Sequence, residues 1–250
     1  MLRLGDRLAQ PTGHLRVRYI NEFYPLFFMK KEGESRNLKK KWTPEIARIH
    51  AHICGDGCVY IRKQKYSGRK LERHPRKNII ENVWTIEYTN TCHELIDDFS
   101  KIFNKSFDRK SIFSEKTKSL RIASAKWIIE YLQVVGKDSY NWNIPPQIME
   151  AKPDILCSWL QAFFDDESTV ITEKKMIRIK SMNNKGLEQT KELLKRVGIY
   201  SRITGPNCDR SYYLNIYREG VGLYSSLINF RHPEKKEKLR IIIIIIMALP

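Results

Sequence analysis

Apolar residues recur at helical and strand spacing in an order that appears twice along the chain. The first series begins with a helix from Thr43 and Pro44 to Gly55, because Thr caps a helix, Pro is tolerated in its first turn and Gly ends it. After it, the pattern predicts strands over 59–65 and 82–89, a helix over 91–103, strands over 110–114 and 119–124, and a helix over 126–135. The predicted order is αββαββα.

The second series repeats this order after a linker that contains Pro145 and Pro146. It predicts a helix over 153–166, strands over 169–172 and 176–182, a helix over 185–197, strands over 200–204 and 212–217, and a helix over 221–228. The fold class is therefore expected to be α+β, a pseudo-symmetric duplicate. The predicted domains are an N-terminal extension (1–41), a first half (42–150) and a second half with a C-terminal tail (151–250).

The leading helices of the two series end in related segments, IHAHICGDG at 49–57 and LQAFFDDES at 160–168. Each has a small residue at the third position and a carboxylate at the eighth, Asp56 or Glu167. If the helices pack side by side, these two acids come together and repel each other. A hard divalent cation such as Mg²⁺ removes that penalty and supports hydrolysis of a phosphodiester. Either segment alone is an ordinary helix exit, and Asp165 is expected to cap or orient its own turn.

The composition and net charge of the chain indicate which class of partner it binds. Apolar content of 42% indicates a globular protein, and a formal net charge of +17 with a pI near 9.7 favours a polyanion as partner. Nucleic acid is favoured over a membrane surface because the basic residues follow predicted strands. The run at 241–249 is shorter than the about twenty residues of a spanning helix, so it is expected to pack on the body or form an apolar tail. Five sparse cysteines and no secretory signal predict a reduced intracellular location, in the cytoplasm and nucleoid-associated.

The two acid-terminated segments resemble the paired motif of LAGLIDADG homing endonucleases, in the single-chain form with two repeats. The second copy is similar to archaeal intron- and intein-encoded variants, several of which carry Glu for the catalytic Asp. The first copy departs from the pattern at His50, His52 and Cys54, but retains the Gly-Asp-Gly ending. The resemblance covers residues 42–240. It implies a saddle of two antiparallel sheets in the DNA major groove, a monomer acting as a pseudo-dimer, and Mg²⁺-dependent double-strand cleavage at a long specific site. Ca²⁺ or Mn²⁺ is expected to substitute for Mg²⁺ in vitro.

Site residues follow from the resemblance by position. Asp56 and Glu167 are the expected catalytic metal ligands, assisted by the carbonyls of Gly55 and Asp166. A basic or amide residue near the water network is expected at Thr89 or Asn90 and at Lys180 or Ser181, with Lys126 and Arg218 after the fourth strands; Lys180 and Lys126 are the catalytic candidates. The expected DNA contacts are Arg62, Lys63, Lys65, Asn90, Lys174, Lys175, Arg178, Lys180 and Arg218.

Other interpretations remain open at this level. His50, His52, Cys54 and Cys58 are all possible zinc ligands, but His50 and His52 lie on different helix faces and no second Cys-x-x-Cys follows. A maturase-like or regulatory protein of the same fold would bind nucleic acid without cutting it. An ordinary DNA-binding regulator has no support, because no helix-turn-helix signal is present.

Overall fold

The structure is a computed structural model that describes residues 41–65, 80–124 and 126–248. All of them belong to one compact unit within residues 40–250. Residues 1–40, which are nearly all of the predicted N-terminal extension (1–41), lie outside the described residues, as do residues 66–79 between the first two predicted strands. The side chain of Lys65 and residues 249–250 also lie outside them.

The first half follows the predicted order. Its helices are α1 (Pro44–Cys54), α2 (His93–Phe107) and α3 (Lys126–Tyr131), and its strands are β1 (Gly57–Lys65), β2 (Ile80–Thr89), β3 (Ile112–Ser114) and β4 (Ser119–Ser124). As expected, Thr43 caps α1 by accepting a 3.4 Å hydrogen bond from the Ile46 amide, and Pro44 occupies the first turn.

The second half has the same order after a short helix in the linker. The helices are α4 (Pro146–Met149), α5 (Pro153–Glu167), α6 (Asn184–Arg196), α7 (Arg218–Leu227) and α8 (Pro233–Met247); the strands are β5 (Ser168–Ile171), β6 (Met176–Ser181), β7 (Ser201–Thr204) and β8 (Tyr212–Ile216). The linker helix α4 lies where the sequence pattern predicted none. Helix α3 ends four residues earlier than the predicted end at 135 because Gln133 and Gly136 have positive φ angles.

Each half contains one four-stranded antiparallel sheet. The strand orders, β1-β2-β4-β3 and β5-β6-β8-β7, correspond strand for strand. One face of each sheet is apolar: Ile86 and Ile122 in the first sheet and Ile177 and Ile179 in the second are fully buried. Because side chains alternate along a strand, the other face of each sheet is open and polar. The predicted α+β duplicate with antiparallel sheets is confirmed.

Helices α1 and α5 pack against each other at the centre of the molecule. Ala51 in α1 and Ala162 in α5 are fully buried, and Gly55 follows the end of α1. An added Cβ at Gly55 would lie 2.8 Å from the Cβ of Asp166. The small side chains therefore allow the close approach expected from the two related segments.

The C-terminal segment forms a helix rather than a tail. In α8, Leu239 and Ile242 are buried, whereas Ile244 and Met247 are exposed. Its charged first turns carry no apolar period, which is why the sequence pattern did not predict the helix from Pro233 onwards. Within the described ranges, no helix is long and apolar enough to cross a membrane.

Candidate active site

The candidate site lies where α1 and α5 end side by side. Asp56 follows the cap of α1 at Gly55, whose amide donates a 2.9 Å hydrogen bond to the Ala51 carbonyl. Glu167 is the last residue of α5. Each acid thus stands at the junction between its helix and the first strand of its own half.

Asp56 is held by a residue from the end of β2. The side-chain amide of Asn90 donates a 2.8 Å hydrogen bond to Oδ2 of Asp56. Partial removal from water raises the pKa of Asp56 to about 6, and the nearby charge of Asp166 acts in the same direction. Asn90, expected among the water-network or DNA-contacting residues, is therefore positioned as a partner of the first acid.

Glu167 interacts with the acid of the other half. Burial raises its pKa to about 7, and the charges of Asp56 and Asp166 contribute to this increase. Glu167 also lines a cavity of about 580 Å³ whose walls include Cys54 and Gly55 from α1 and Lys180 from β6. The cavity therefore opens onto Glu167, and residues of both β1 and β6 line it.

Asp166 has a fully buried side chain that contacts the first half of the chain. His52 Nδ1 lies 2.9 Å from Oδ2, the Tyr88 hydroxyl donates to Oδ1 at 2.7 Å, and Asn90 Nδ2 lies 3.4 Å from the same oxygen. Burial raises the pKa of Asp166 to about 8, which the hydrogen bond from Tyr88 opposes. The Asp166 side chain therefore links α5 to the first half, and both of its oxygens are occupied by these partners.

The negative charges of Asp56 and Glu167, which we call the acid pair, are suited to binding a divalent cation. Within the ranges that the structure describes, no three or more His, Cys, Asp or Glu side chains are arranged to hold a metal ion. Asp56 and Glu167 provide two carboxylates whose pKa values are raised, which a cation would reverse. Oxygen atoms of water and of a phosphodiester would complete the ligands that Mg²⁺ requires. The carbonyl oxygen of Asp166 lies 3.3 Å from the Lys235 ammonium.

The two expected catalytic lysines have different surroundings. Lys180 is exposed, forms a 2.6 Å ion pair with Asp209 and lines the cavity beside Glu167. Lys126 forms a 3.3 Å ion pair with Glu130, one turn along its own helix. The structure therefore brings Lys180 and Glu167 to one cavity, and it gives Lys126 a partner outside the acid cluster.

Two of the expected DNA contacts in the second half, Arg178 and Lys180, lie on the open face of its sheet. Arg178 is opposite Asn215 in the register, donates a 2.8 Å hydrogen bond to Oδ1 of Asn215, and places its guanidinium 4.5 Å from the centre of the Tyr213 ring. Lys180 follows on the same face, and Lys174 and Lys175 form the turn between β5 and β6. Arg218 is exposed at the first turn of α7.

The open face of the first sheet carries different chemistry. Glu87 accepts hydrogen bonds from the Tyr60 hydroxyl at 2.9 Å and from Nε of Arg121 at 2.8 Å. Arg62 is exposed and lies two residues beyond Tyr60 on β1, hence on the same face, while the exposed Lys63 points to the opposite face. The centre of this face is therefore an acid between a phenol and a guanidinium, whereas the centre of the corresponding face of the second sheet is basic.

Several contacts of the site were not predicted from the sequence. The side chains of His52 and Tyr88 contact Asp166, and Asp165 accepts hydrogen bonds from the backbone amides of Arg231 and His232 instead of capping its own turn. Lys235 donates to carbonyl oxygens at the end of α5. Alternation of apolar residues along β2 is a signal that could have identified Tyr88 as inward-facing, but no local pattern marks Lys235.

The histidines that were considered as possible zinc ligands have other partners in the structure. The Trp159 indole donates a 3.0 Å hydrogen bond to Nδ1 of His50, and Lys137 Nζ lies 3.1 Å from its Nε2. His52 faces Asp166, and Cys58 is exposed. The two imidazoles therefore have separate partners in the helix interface.

Comparison with known proteins finds a family match within the second half and solved structures with a similar fold. Residues 154–230 match the profile of the LAGLIDADG-like domain. Among solved structures, mesophilic variants of the homing endonuclease I-DmoI share 17% identity with a TM-score of 0.54, covering 74% of this chain and 95% of theirs. I-DmoI in complex with DNA and Ca is 17% identical, with a TM-score of 0.56, covering 79% of this chain and 97% of that one. I-DmoI in complex with DNA and Mn is 17% identical, with a TM-score of 0.54, covering 74% of this chain and 96% of that one. No curated protein matches in sequence. The chain therefore contains a LAGLIDADG-like domain within its second half and has the fold of I-DmoI.

Proposed function

We propose that this protein is a site-specific double-strand DNA endonuclease of the homing type. The proposal is supported by the close approach of the two helix ends, where an added Cβ at Gly55, next to Asp56, would lie 2.8 Å from the Cβ of Asp166, next to Glu167. The charge of Asp56 also raises the pKa of Glu167. Paired acids of this kind suit a divalent cation and a phosphodiester substrate. The solved complexes of I-DmoI with DNA and with Mn or Ca support the same class of partner and cofactor.

The residues of the chain have separate tasks in the proposed reaction. Asp56 and Glu167 would hold the cation, and Asn90 orients Asp56 through its 2.8 Å hydrogen bond. When bound, Mg²⁺ would supply the positive charge that activates an attacking water and stabilises the leaving oxygen of the phosphodiester. The open faces of the two sheets bind the duplex on either side, with Arg178 and Lys180 contributing positive charge in the second half.

Cleavage with single-acid variants tests this function. Wild type, Asp56→Asn and Glu167→Gln are incubated with Mg²⁺ and a plasmid library, and linear products are sequenced at their ends. We expect discrete double-strand cuts by the wild type only, and duplex binding in Ca²⁺ by all three proteins. Glu192→Gln, a change at an exposed residue of α6, is the matched control and should cut normally. Unimpaired cutting by either acid variant refutes the assignment.

A second candidate, a nucleic-acid-binding protein of this fold that does not cleave, is favoured by one observation. The Lys235 ammonium interacts with Asp56, Asp165, Asp166 and Glu167 and partly compensates their charge without a metal ion. Duplex or RNA binding that is independent of divalent ions, without nicking in Mg²⁺ or Mn²⁺, would establish this candidate in place of the first.

A further inference from the structure

The end of α5 and the start of α8 exchange hydrogen bonds in both directions. Oδ1 of Asp165 accepts the backbone amides of Arg231 and His232, each at 3.0 Å. In return, Lys235 Nζ donates to the carbonyl oxygens of Phe164 at 3.2 Å, Asp165 at 2.5 Å and Asp166 at 3.3 Å. The acid thus satisfies amides just before α8, and the lysine satisfies carbonyls at the end of α5.

This exchange matters because the last carbonyl groups of a helix have no partners within the helix. A cation at that end satisfies them and interacts favourably with the helix dipole. Here the cation comes from another helix, and the carbonyls it binds belong to the three residues immediately before Glu167. The direction in which Glu167 leaves α5 therefore depends on Lys235.

The same segment is anchored to the first half of the chain. Nε of Arg231 donates to Oε1 of Gln161 in α5 at 3.0 Å, and its NH1 donates to Oδ1 of Asp98 in α2 at 3.0 Å. Lys235 itself is only partly accessible to solvent, whereas its neighbour Lys236 is exposed. Lys235 thus has little freedom to leave the acid cluster.

We infer that Lys235 is a positioning residue of the candidate active site, whose ammonium holds the Glu167 end of α5 and lowers the affinity of the acid pair for a divalent cation. The inference rests on the proposed function and deepens it. It assigns to α8, a helix outside the region 154–230 that matches the LAGLIDADG-like domain, an indirect part in metal binding, through Glu167.

The experiment compares Lys235→Met with Lys236→Met, a change of equal charge at the next, exposed residue of the same helix. Ca²⁺ binding to the DNA-free proteins is measured by calorimetry, and kcat and KM are measured with Mg²⁺ on a duplex that the wild type cuts. For Lys235→Met we expect Ca²⁺ affinity to increase roughly fivefold, because a repelling charge is removed. We also expect kcat to fall by at least about tenfold at little-changed KM, because Glu167 is misdirected. Lys236→Met should resemble the wild type.

A further variant separates positioning from folding. Lys235→Arg retains the charge and should keep Ca²⁺ affinity near that of the wild type, with part of kcat preserved. A merely structural lysine would give a lower Tm and weaker Ca²⁺ binding in Lys235→Met, and that result overturns the inference, as does Ca²⁺ affinity equal to that of Lys236→Met. If the wild type cuts no duplex while Ca²⁺ affinity still increases in Lys235→Met, the proposed function fails and the role of Lys235 stands.

Discussion

Nδ1 of His52 in α1 lies 2.9 Å from Oδ2 of Asp166 in α5, across 114 residues of chain. Both side chains are fully buried, and the Tyr88 hydroxyl donates to the other oxygen of the same carboxylate. This polar contact lies in the interface between the two halves, and Asp166 immediately precedes Glu167, one of the acids that the proposed reaction uses. One carboxylate of α5 thus contacts both α1 and β2 of the first half.

Removal of that carboxylate should destabilise the protein strongly. Asp166→Ala leaves the buried Tyr88 hydroxyl and His52 without their partner, which we expect to cost about 3 kcal/mol in the free energy of unfolding. Urea denaturation measures this loss. Asp154→Ala, a change at an exposed acid in the first turn of the same helix, should cost less than about 1 kcal/mol. Equal losses in the two variants would contradict this expectation.

Glu167 should make the metal-free protein less stable as the pH rises. Its carboxyl has an ordinary pKa of 4.5 in the unfolded chain and a pKa of about 7 in the folded protein, mainly because of burial. Between these values the folded state binds more protons than the unfolded state, so its stability falls as the pH increases. In EDTA, Glu167→Gln should therefore have the same free energy of unfolding as the wild type near pH 4.5.

At pH 8, the free energy of unfolding of Glu167→Gln should be larger than that of the wild type by about 2 kcal/mol, after allowance for the partial exposure of Glu167. Urea unfolding of both proteins at the two pH values measures the difference. Glu192→Gln should show a pH dependence parallel to that of the wild type. A constant difference between Glu167→Gln and wild type across this range would exclude the raised pKa.

Gly55→Ala tests the close approach of the two helix ends. The new Cβ would lie 2.8 Å from Cβ and 3.0 Å from Oδ2 of Asp166, so the helices must separate. We expect a stability loss of about 1–3 kcal/mol from overpacking and a fall in cleavage rate of at least about tenfold. Gly222→Ala in α7 meets no atom within 4 Å and should instead stabilise the protein by about 0.5–1 kcal/mol. Normal cleavage by Gly55→Ala would show that the helix ends tolerate separation.

Arg178 should contribute to duplex binding through the open face of the second sheet. Its stacking on Tyr213 and hydrogen bond to Asn215 hold the guanidinium in place. We expect Arg178→Ala to weaken binding by about 1–3 kcal/mol if it contacts a base, or to reduce the salt dependence by about one ion if it contacts a phosphate. Fluorescence anisotropy in Ca²⁺ at several salt concentrations distinguishes these outcomes. Arg240→Ala, which breaks an ion pair with Glu237 on α8, should bind as the wild type does.

Much of the fold could be predicted because each half repeats a pattern that is set by local spacing. The strand over 119–124 and the start of α5 at Pro153 were predicted at the residues where the structure has them. Small residues at Ala51 and Ala162 indicated the close packing of α1 and α5, and the structure shows both fully buried. These features depend on side-chain size and periodicity, which are visible within a few residues.

Contacts between distant segments could not be predicted in the same way. Lys235 belongs to a run of charged residues that resembles any solvated helix, and its role depends on where α8 lies against α5. Likewise, Asp166 looked like one of two acids at a helix end, but His52 and Tyr88 reach it only through the packing of the two halves. Such partners are set by tertiary geometry and leave no spacing in the chain.

The open faces of the two sheets share a strand order but differ in chemistry, with Glu87 between Tyr60 and Arg121 in one and Arg178 beside Tyr213 and Asn215 in the other. Identical subunits must present equal surfaces, and therefore favour a palindrome. A single chain with unlike halves has no such constraint. Under the proposed function, the two arms of the preferred target are unrelated in sequence, and each half can acquire a new preference without altering the other.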